Sequence, residues 1–369
     1  MPSSGPAAPT RKRCVPPCRP RAAMWAYWAR PVRPTALPRA SAPASTPTAW
    51  WCASTRATSR ARSSSRARSD ADGSLMSDFL ELIVSAAASG CVYGLVALAY
   101  LLITRPTGII NFGVGEWATV AAFGAYVALS RVELPYALSI ALVAALMLAV
   151  GWLTERLTVR PLVVRGAPPL APVLALLGML VVVRELVSLG FGPDPQPVPP
   201  AFGFGRLELG PLAGSYQSFF IIAVAAVVFA SAWYFFERTL AGKSFEAVAL
   251  DRRAAALMGI NLSRVTALSF AAGAVVAGLA GLLVAPNVSA HYLMGMPLAI
   301  QGFTALVIGG ASRVEGALLG GLILAVAEQF TVRYAPVPPG LAMGVPLVLL
   351  IVFLLVRPAG LLRPREARA

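Results

Sequence analysis

Charge is scarce in this chain, and the scarcity decides the class of protein. Only 13% of its 369 residues are charged, whereas 57% are apolar, and the mean hydropathy is +0.71. Soluble domains carry about 25% charged residues. The composition therefore excludes an ordinary soluble protein and indicates one that lies in a membrane.

Histidine and cysteine are also rare, which excludes most metal and catalytic sites. His291 is the single histidine, and Cys14 and Cys18 have no second pair of ligands at a spacing that zinc uses. The sequence places no nucleophile beside a base and no paired carboxylates at a plausible site. We therefore expect no metal, no cofactor and no enzymatic activity.

Acidic residues are scarce in the first 75 positions, where the positive charge is concentrated. This segment carries 13 Lys or Arg against two Asp, a net +11, whereas the rest carries 18 against 14, a net +4. The body is therefore not expected to bind nucleic acid. Residues 1–75 have no apolar periodicity, which predicts a disordered basic head with membrane lipid as its partner. The alternative is an over-extended start, with Met76 as the true first residue.

Long apolar runs dominate residues 76–369. A helix needs about 20 apolar residues to cross the hydrocarbon core of a bilayer. We predict that 76–369 is a transmembrane domain, all-α and polytopic, with about eight to ten segments. The segments are 79–103, 108–129, 134–153, 170–190, 215–236, 265–285, 298–310, 317–330 and 341–356, of which the seventh and eighth are short.

Lysine and arginine are unevenly distributed among the connecting loops. They cluster after the third and fifth segments and in the C-terminal tail, whereas the proline-rich loop 191–214 has only Arg206. Because cytoplasmic loops carry the excess of positive charge, the basic loops are predicted to lie inside and loop 191–214 outside.

Polar residues interrupt the second segment at the sequence IINFGVGEW. Asn111 and Glu116 lie there in an apolar run with Gly115 between them. A carboxylate inside a membrane is a functional candidate, and the glycines favour a broken or tightly packed helix. Asn111, Gly115 and Glu116 are therefore candidates for a translocation pathway. The alternative is that Glu116 hydrogen-bonds a neighbouring helix and only holds the fold.

Two further charged residues lie within the fourth segment. Arg184 and Glu185 could pair with each other or across the bundle. Their distance from Gly190, near the end of the segment, favours side chains that extend to the outer interface instead.

Small residues repeat at helical spacing in the sixth and eighth segments. In lipid, such residues allow helix backbones to approach closely. We expect helix packing, rather than a substrate path, from Gly278, Gly281, Gly316 and Gly320.

The loop between the fifth and sixth segments is unusually polar and structured. Residues 242–264 predict a short helix that ends at Gly259, and Asn261 begins the next helix. Gly242, Lys243 and Ser244 imitate the end of a phosphate-binding loop, but Glu237 stands where that motif needs glycine. The loop therefore indicates a contact surface for a cytoplasmic partner, and any use of ATP must come from another subunit.

Four motifs together resemble one known family. GIINFGVGE, GKSFEAVALDRRAAALMGI, ALVIGGASRVEGALLGGLILAVAE and RPAGLL are similar to the branched-chain amino acid ABC transporter permease family, and more narrowly to its LivH-type subunit. The similarity covers nearly all of 76–369 and none of 1–75. It implies an ABC importer permease bundle, multi-pass in the bacterial inner membrane, that carries branched-chain or other small hydrophobic amino acids.

The resemblance also implies partners. These are two ATP-binding subunits, a second permease of the LivM type and an extracytoplasmic substrate-binding protein. In the family the central loop couples ATP hydrolysis to transport. That role falls here on Gly242, Phe245, Glu246, Ala247, Asp251, Arg252, Ala255 and Gly259.

One mechanism and two alternatives follow. A rigid helix over 244–258 is expected to act as a lever, with Phe245, Val248 and Leu257 seated in a cleft of the ATPase. The alternatives are a self-sufficient secondary carrier or channel for a small neutral solute, and an ABC permease for urea or short amides.

Overall fold

A computed structural model describes residues 79–168, 170–203, 205–209, 212–334, 344–357 and 360–361. The predicted basic head at 1–75 and the alternative start at Met76 lie outside these described residues. So do most of the basic residues of the C-terminal tail.

Helices account for nearly all of the described chain. They are α1 (Phe79–Thr107), α2 (Val114–Tyr126), α3 (Tyr136–Thr154), α4 (Arg160–Val164), α5 (Leu170–Phe191), α6 (Tyr216–Arg238), α7 (Leu240–Leu250), α8 (Arg252–Leu257), α9 (Leu262–Val288), α10 (Gly295–Gly309), α11 (Val314–Tyr334) and α12 (Val345–Val356). Single π-helical turns extend α2 over Val127–Arg131 and join α3 to α4 over Glu155–Val159. One antiparallel hairpin, β1 (Arg206–Leu209) and β2 (Leu212–Ser215), precedes α6.

Six helices of the described chain are long and apolar enough to cross a membrane. They are α1, the continuous α3–α4 helix, α5, α6, α9 and α11, and α10 and α12 are shorter apolar helices. The prediction of an all-α polytopic membrane protein is therefore confirmed, with eight to ten segments as an approximate count. α11 is longer than the predicted segment at both ends, because it continues to Tyr334 and its first turn includes Glu315, which the positive end of the helix dipole stabilises.

Polar side chains fix where several helices begin. Thr239 and Asn261 cap α7 and α9 by accepting hydrogen bonds from the Gly242 and Arg264 backbone amides. The chain reaches Asn261 through Gly259, whose φ of +84° is a left-handed conformation that glycine adopts without strain. The end and restart predicted at these two residues are therefore present.

The helices divide into a buried centre and a lipid-facing rim. In their most apolar stretches, 67% of the residues of α1 and α9 are buried, against 22% for α5 and α6. Nearly all of α2 is buried as well. The polar residues of α2 therefore lie in the interior of the bundle.

Glycines bring the central helices into backbone contact. A Cβ on Gly281 of α9 would collide with the Ala118 carbonyl oxygen of α2, and one on Gly278 would collide with Met147 of α3. In the α10–α11 hairpin, a Cβ on Gly320 would collide with the Ala305 carbonyl oxygen. Likewise, a Cβ on Gly316 would lie 2.8 Å from the Gly309 carbonyl oxygen. A larger side chain at any of these positions would push two helices apart.

Gly281→Ala is expected to destabilise the bundle, and Gly178→Ala is the matched control. A Cβ at Gly178, also helical, would meet nothing within 4 Å. Overpacking should lower the free energy of unfolding by about 1–3 kcal/mol at Gly281, whereas Gly178→Ala should gain up to about 1 kcal/mol of helix propensity. Thermal unfolding of the purified protein in detergent measures both. Equal midpoints would contradict the proposed α2–α9 contact.

Candidate functional site

The chain unwinds between α1 and α2 inside the bundle. Residues 108–113 are not helical, and Gly108 has φ +69°. The Phe112 ring lies 6.4 Å from the ring of Tyr100 on α1 and 5.6 Å from that of Phe303 on α10. The predicted segment 108–129 therefore becomes an unwound stretch followed by a short helix, which is the broken helix that the glycines indicated.

Glu116, in the first turn of α2, forms an ion pair with Arg184 of α5. The Arg184 Nη2 and Nε atoms donate to Oε1 of Glu116 at 2.7 and 3.2 Å. Glu116 is 1% exposed, and the Arg184 side chain is 21% exposed. The expectation that Arg184 extends to the outer interface is wrong. Because a buried carboxylate without a partner costs several kcal/mol, pairing within the bundle is the more favourable position for this guanidinium.

Two polar atoms beside the ion pair remain without a hydrogen bond. They are Oε2 of Glu116 and Nδ2 of Asn111, both buried, among the residues that the structure describes. The other amide atom of Asn111, Oδ1, accepts a hydrogen bond from the Gly113 backbone amide at 2.9 Å. The site therefore contains one acceptor atom, Oε2 of Glu116, and one donor group, the Nδ2 amide of Asn111, that are unpaired and closed to solvent.

The space around these atoms is small and mostly apolar. A cavity of about 10 Å³ is bordered by Asn111, Gly113, Glu116 and Thr154, and by a set of apolar side chains, namely Trp117, Leu176, Met179, Leu180 and Val183. An amino acid does not fit in this volume. The arrangement of the helices in this structure therefore leaves no room for a solute beside the ion pair.

Gly115, the third pathway candidate, fixes α2 against α10. A Cβ on Gly115 would collide with the Gly295 carbonyl oxygen and lie 2.8 Å from the Ala299 Cβ. Gly295 was not predicted to take part in the site, since nothing in the sequence distinguishes it from the other glycines. Its backbone holds the first turn of α2 in place.

The predicted rigid helix over 244–258 is wrong, because the structure contains two helices there. α7 ends at Leu250, and Asp251 has an extended backbone with φ −150° and ψ 111°. Its Oδ1 accepts hydrogen bonds from the Arg253 and Ala254 amides at 2.7 and 3.1 Å and so begins α8. Asp251 therefore separates the helices by capping the second one.

Burial also corrects which side chains of α7 and α8 face outward. Phe245 and Val248 are 2% exposed, and the Phe245 ring packs edge-to-face on Phe235 and Phe236 at the end of α6. They cannot seat in another subunit. Leu257 is 88% exposed as expected, and Leu250 and Met258, which were not predicted, are 89% and 83% exposed.

The other residues of the predicted coupling loop take separate positions. Gly242 lies against the Phe235 carbonyl, Glu246 accepts from Lys243 Nζ at 3.1 Å, Ala247 is half-buried and Ala255 is buried. Arg252 Nη1 donates to the Thr107 carbonyl oxygen at 3.1 Å. This bond joins α8 to the last residue of α1, directly before the unwound stretch.

Comparisons with known proteins identify the family. Residues 82–354 match the family described as branched-chain amino acid transport system / permease component. The chain is 30% identical over 302 residues to the high-affinity branched-chain amino acid transport system permease protein BraD of Pseudomonas aeruginosa, with 77% of this chain and 95% of BraD covered. It is 32% identical over 306 residues to the high-affinity branched-chain amino acid transport system permease protein LivH of Salmonella typhimurium, with 77% of this chain and 95% of LivH covered.

A weaker similarity extends to a sugar permease. The galactose/methyl galactoside import permease protein MglC of Treponema pallidum is 29% identical over 219 residues, which cover 58% of this chain and 39% of MglC.

Replacement of Phe245 by alanine is expected to destabilise the protein, whereas Leu257→Ala should not. Loss of a buried Phe side chain typically lowers the free energy of unfolding by about 3–5 kcal/mol, and Leu257 contributes little because it is exposed. Thermal unfolding of the two purified variants distinguishes them. A stable Phe245→Ala variant beside an unstable Leu257→Ala variant would mean that the outward face has been assigned the wrong way round.

Proposed function

Because this chain belongs to the branched-chain amino acid transport system permease family, we propose that it forms part of the path by which an ATP-driven importer carries branched-chain amino acids across the bacterial inner membrane. It is a multi-pass membrane protein and a transport subunit. The proposal rests on the match of residues 82–354 to the permease family. Two permeases for these amino acids are aligned over 95% of their own lengths.

Separate subunits are proposed to supply the energy. The residues Gly242, Lys243 and Ser244 lie within helix α7, whereas a phosphate-binding loop connects a strand to a helix. The proposed assembly contains two ATP-binding subunits, a LivM-type second permease and an extracytoplasmic substrate-binding protein.

The outward face of α7 and α8 is the proposed contact with the ATP-binding subunits. Leu250 ends α7, Leu257 ends α8 and Met258 follows it, and all three expose large apolar side chains. The basic residues of this loop predict that it lies in the cytoplasm. Exposed apolar residues rimmed by charge are typical of protein interfaces.

Arg252 is proposed to carry the motion inward. A displacement of α8 would be transmitted through the bond from Arg252 to the Thr107 carbonyl, and from there to residues 108–113 and the first turn of α2. Asn111, Gly115 and Glu116, at the end of this route, are the proposed pathway residues.

Transport driven by ATP is the direct test of this function. The complex purified through a C-terminal tag is reconstituted in liposomes, and uptake of radiolabelled leucine is measured with ATP, without ATP and with a proton uncoupler. We expect uptake that requires ATP and survives the uncoupler. Uptake that follows the proton gradient without ATP would instead identify a secondary carrier.

Arg252→Gln is expected to uncouple transport, with Arg253→Gln as the matched control. The neighbouring Arg253 is exposed, and its removal takes away the same charge without touching Thr107. Loss of the bond to Thr107 should lower the leucine transported per ATP hydrolysed several-fold, because motion of α8 then loses its link to the end of α1. Transport and ATP hydrolysis are measured in the same liposomes. A wild-type ratio in Arg252→Gln would contradict the proposed route.

A further inference from the structure

We infer that a zwitterionic amino acid passes this subunit by binding between Glu116 and Arg184, so that its own charges replace the ion pair. Its ammonium group binds Glu116, and its carboxylate binds Arg184 and Asn111. The inference rests on the proposed function and adds the chemistry by which the permease itself recognises its solute.

Passage requires the ion pair to separate. Glu116 and Arg184 lie on different helices, and the cavity beside them holds only about 10 Å³. α2 and α5 must therefore move apart before an amino acid enters. Glu116 is only 1% exposed. Separation alone would leave its carboxylate without a counter-ion, which is strongly unfavourable.

A zwitterion supplies both of the charges that separation removes. Its ammonium group carries three donors for the two oxygens of Glu116, of which Oε2 already lacks a partner. Its carboxylate matches the planar fork of the Arg184 guanidinium. The amide Nδ2 of Asn111, also buried and without a partner, can donate to the same carboxylate.

The remaining lining suits an aliphatic side chain. Leu176, Met179, Leu180 and Val183 of α5 border the cavity on the side of Arg184. Urea, short amides and sugars carry no charges to replace those of the separated pair. The site therefore selects amino acids among the solutes that related permeases carry.

Substitutions at the pair test the inference in the reconstituted complex, with the substrate-binding protein at saturation. Glu116→Gln and Arg184→Gln should each lower the maximal rate of leucine uptake by about tenfold or more, as expected when a buried charge loses its partner. Glu185→Gln is the matched control, because this neighbouring carboxylate is exposed. It should stay within about twofold of the wild type. Wild-type rates in both pair variants would overturn the inference.

Leucine and two of its analogues test whether both charges of the solute are needed for binding, without any substitution in the protein. We measure the thermal midpoint of the wild-type permease–ATPase complex, prepared without the binding protein, in leucine, leucinamide and 4-methylpentanoate. Leucine should raise the midpoint more than leucinamide, which lacks the carboxylate, or 4-methylpentanoate, which lacks the ammonium group. Equal shifts with all three, or none with leucine, would overturn the inference. Absence of ATP-driven leucine uptake by the wild type would instead overturn the proposed function, and the inference with it.

Discussion

The ion pair between Glu116 and Arg184 is the interaction on which the rest of the structure depends. It places a carboxylate in the interior of a membrane bundle, where an unpaired charge is not tolerated. It also attaches α5 to the central helix α2. Only 22% of the residues in the most apolar stretch of α5 are buried. A second contact, between the rings of Phe123 and Phe191 at 4.6 Å, lies further along the same two helices. The pair thus holds a peripheral helix against the centre of the bundle, at the proposed pathway.

The remaining architecture separates a rigid frame from a route for motion. The frame consists of α2, α9 and α10, whose backbones touch where Gly281 meets Ala118 and Gly115 meets Gly295. Such contacts leave no room for side chains to rearrange, so these helices move as one body or not at all. The unwound residues 108–113 lie within this frame and connect to α8 through Thr107 and Arg252. Motion of α8 can therefore reach α2, which would move relative to α5 together with the rest of the frame.

Local signals predicted much of this protein, and contacts between distant segments account for the rest. Apolar runs predicted the transmembrane helices. The glycine at Gly259 predicted where one helix ends, and the asparagine at Asn261 predicted where the next begins. The partner of Arg184 could not be found, because Glu116 lies 68 residues away and α5 is apolar on every side, so its sequence does not reveal the inward face. Burial of Phe245 depends on Phe235 and Phe236 of another helix. The break at Asp251 did have a local signal, since aspartate followed by helix-forming residues is a typical cap.

The distance between Glu116 Oε1 and Arg184 Nη2 in the complete transporter tests the account most directly. It is 2.7 Å in this structure. Structures of the complex determined by electron cryomicroscopy, without nucleotide and with ATP trapped in the presence of leucine, would measure it through the transport cycle. The account predicts that the two atoms separate in at least one state and that density for the solute lies between them. An intact pair in every state, with the solute passing elsewhere, would contradict it.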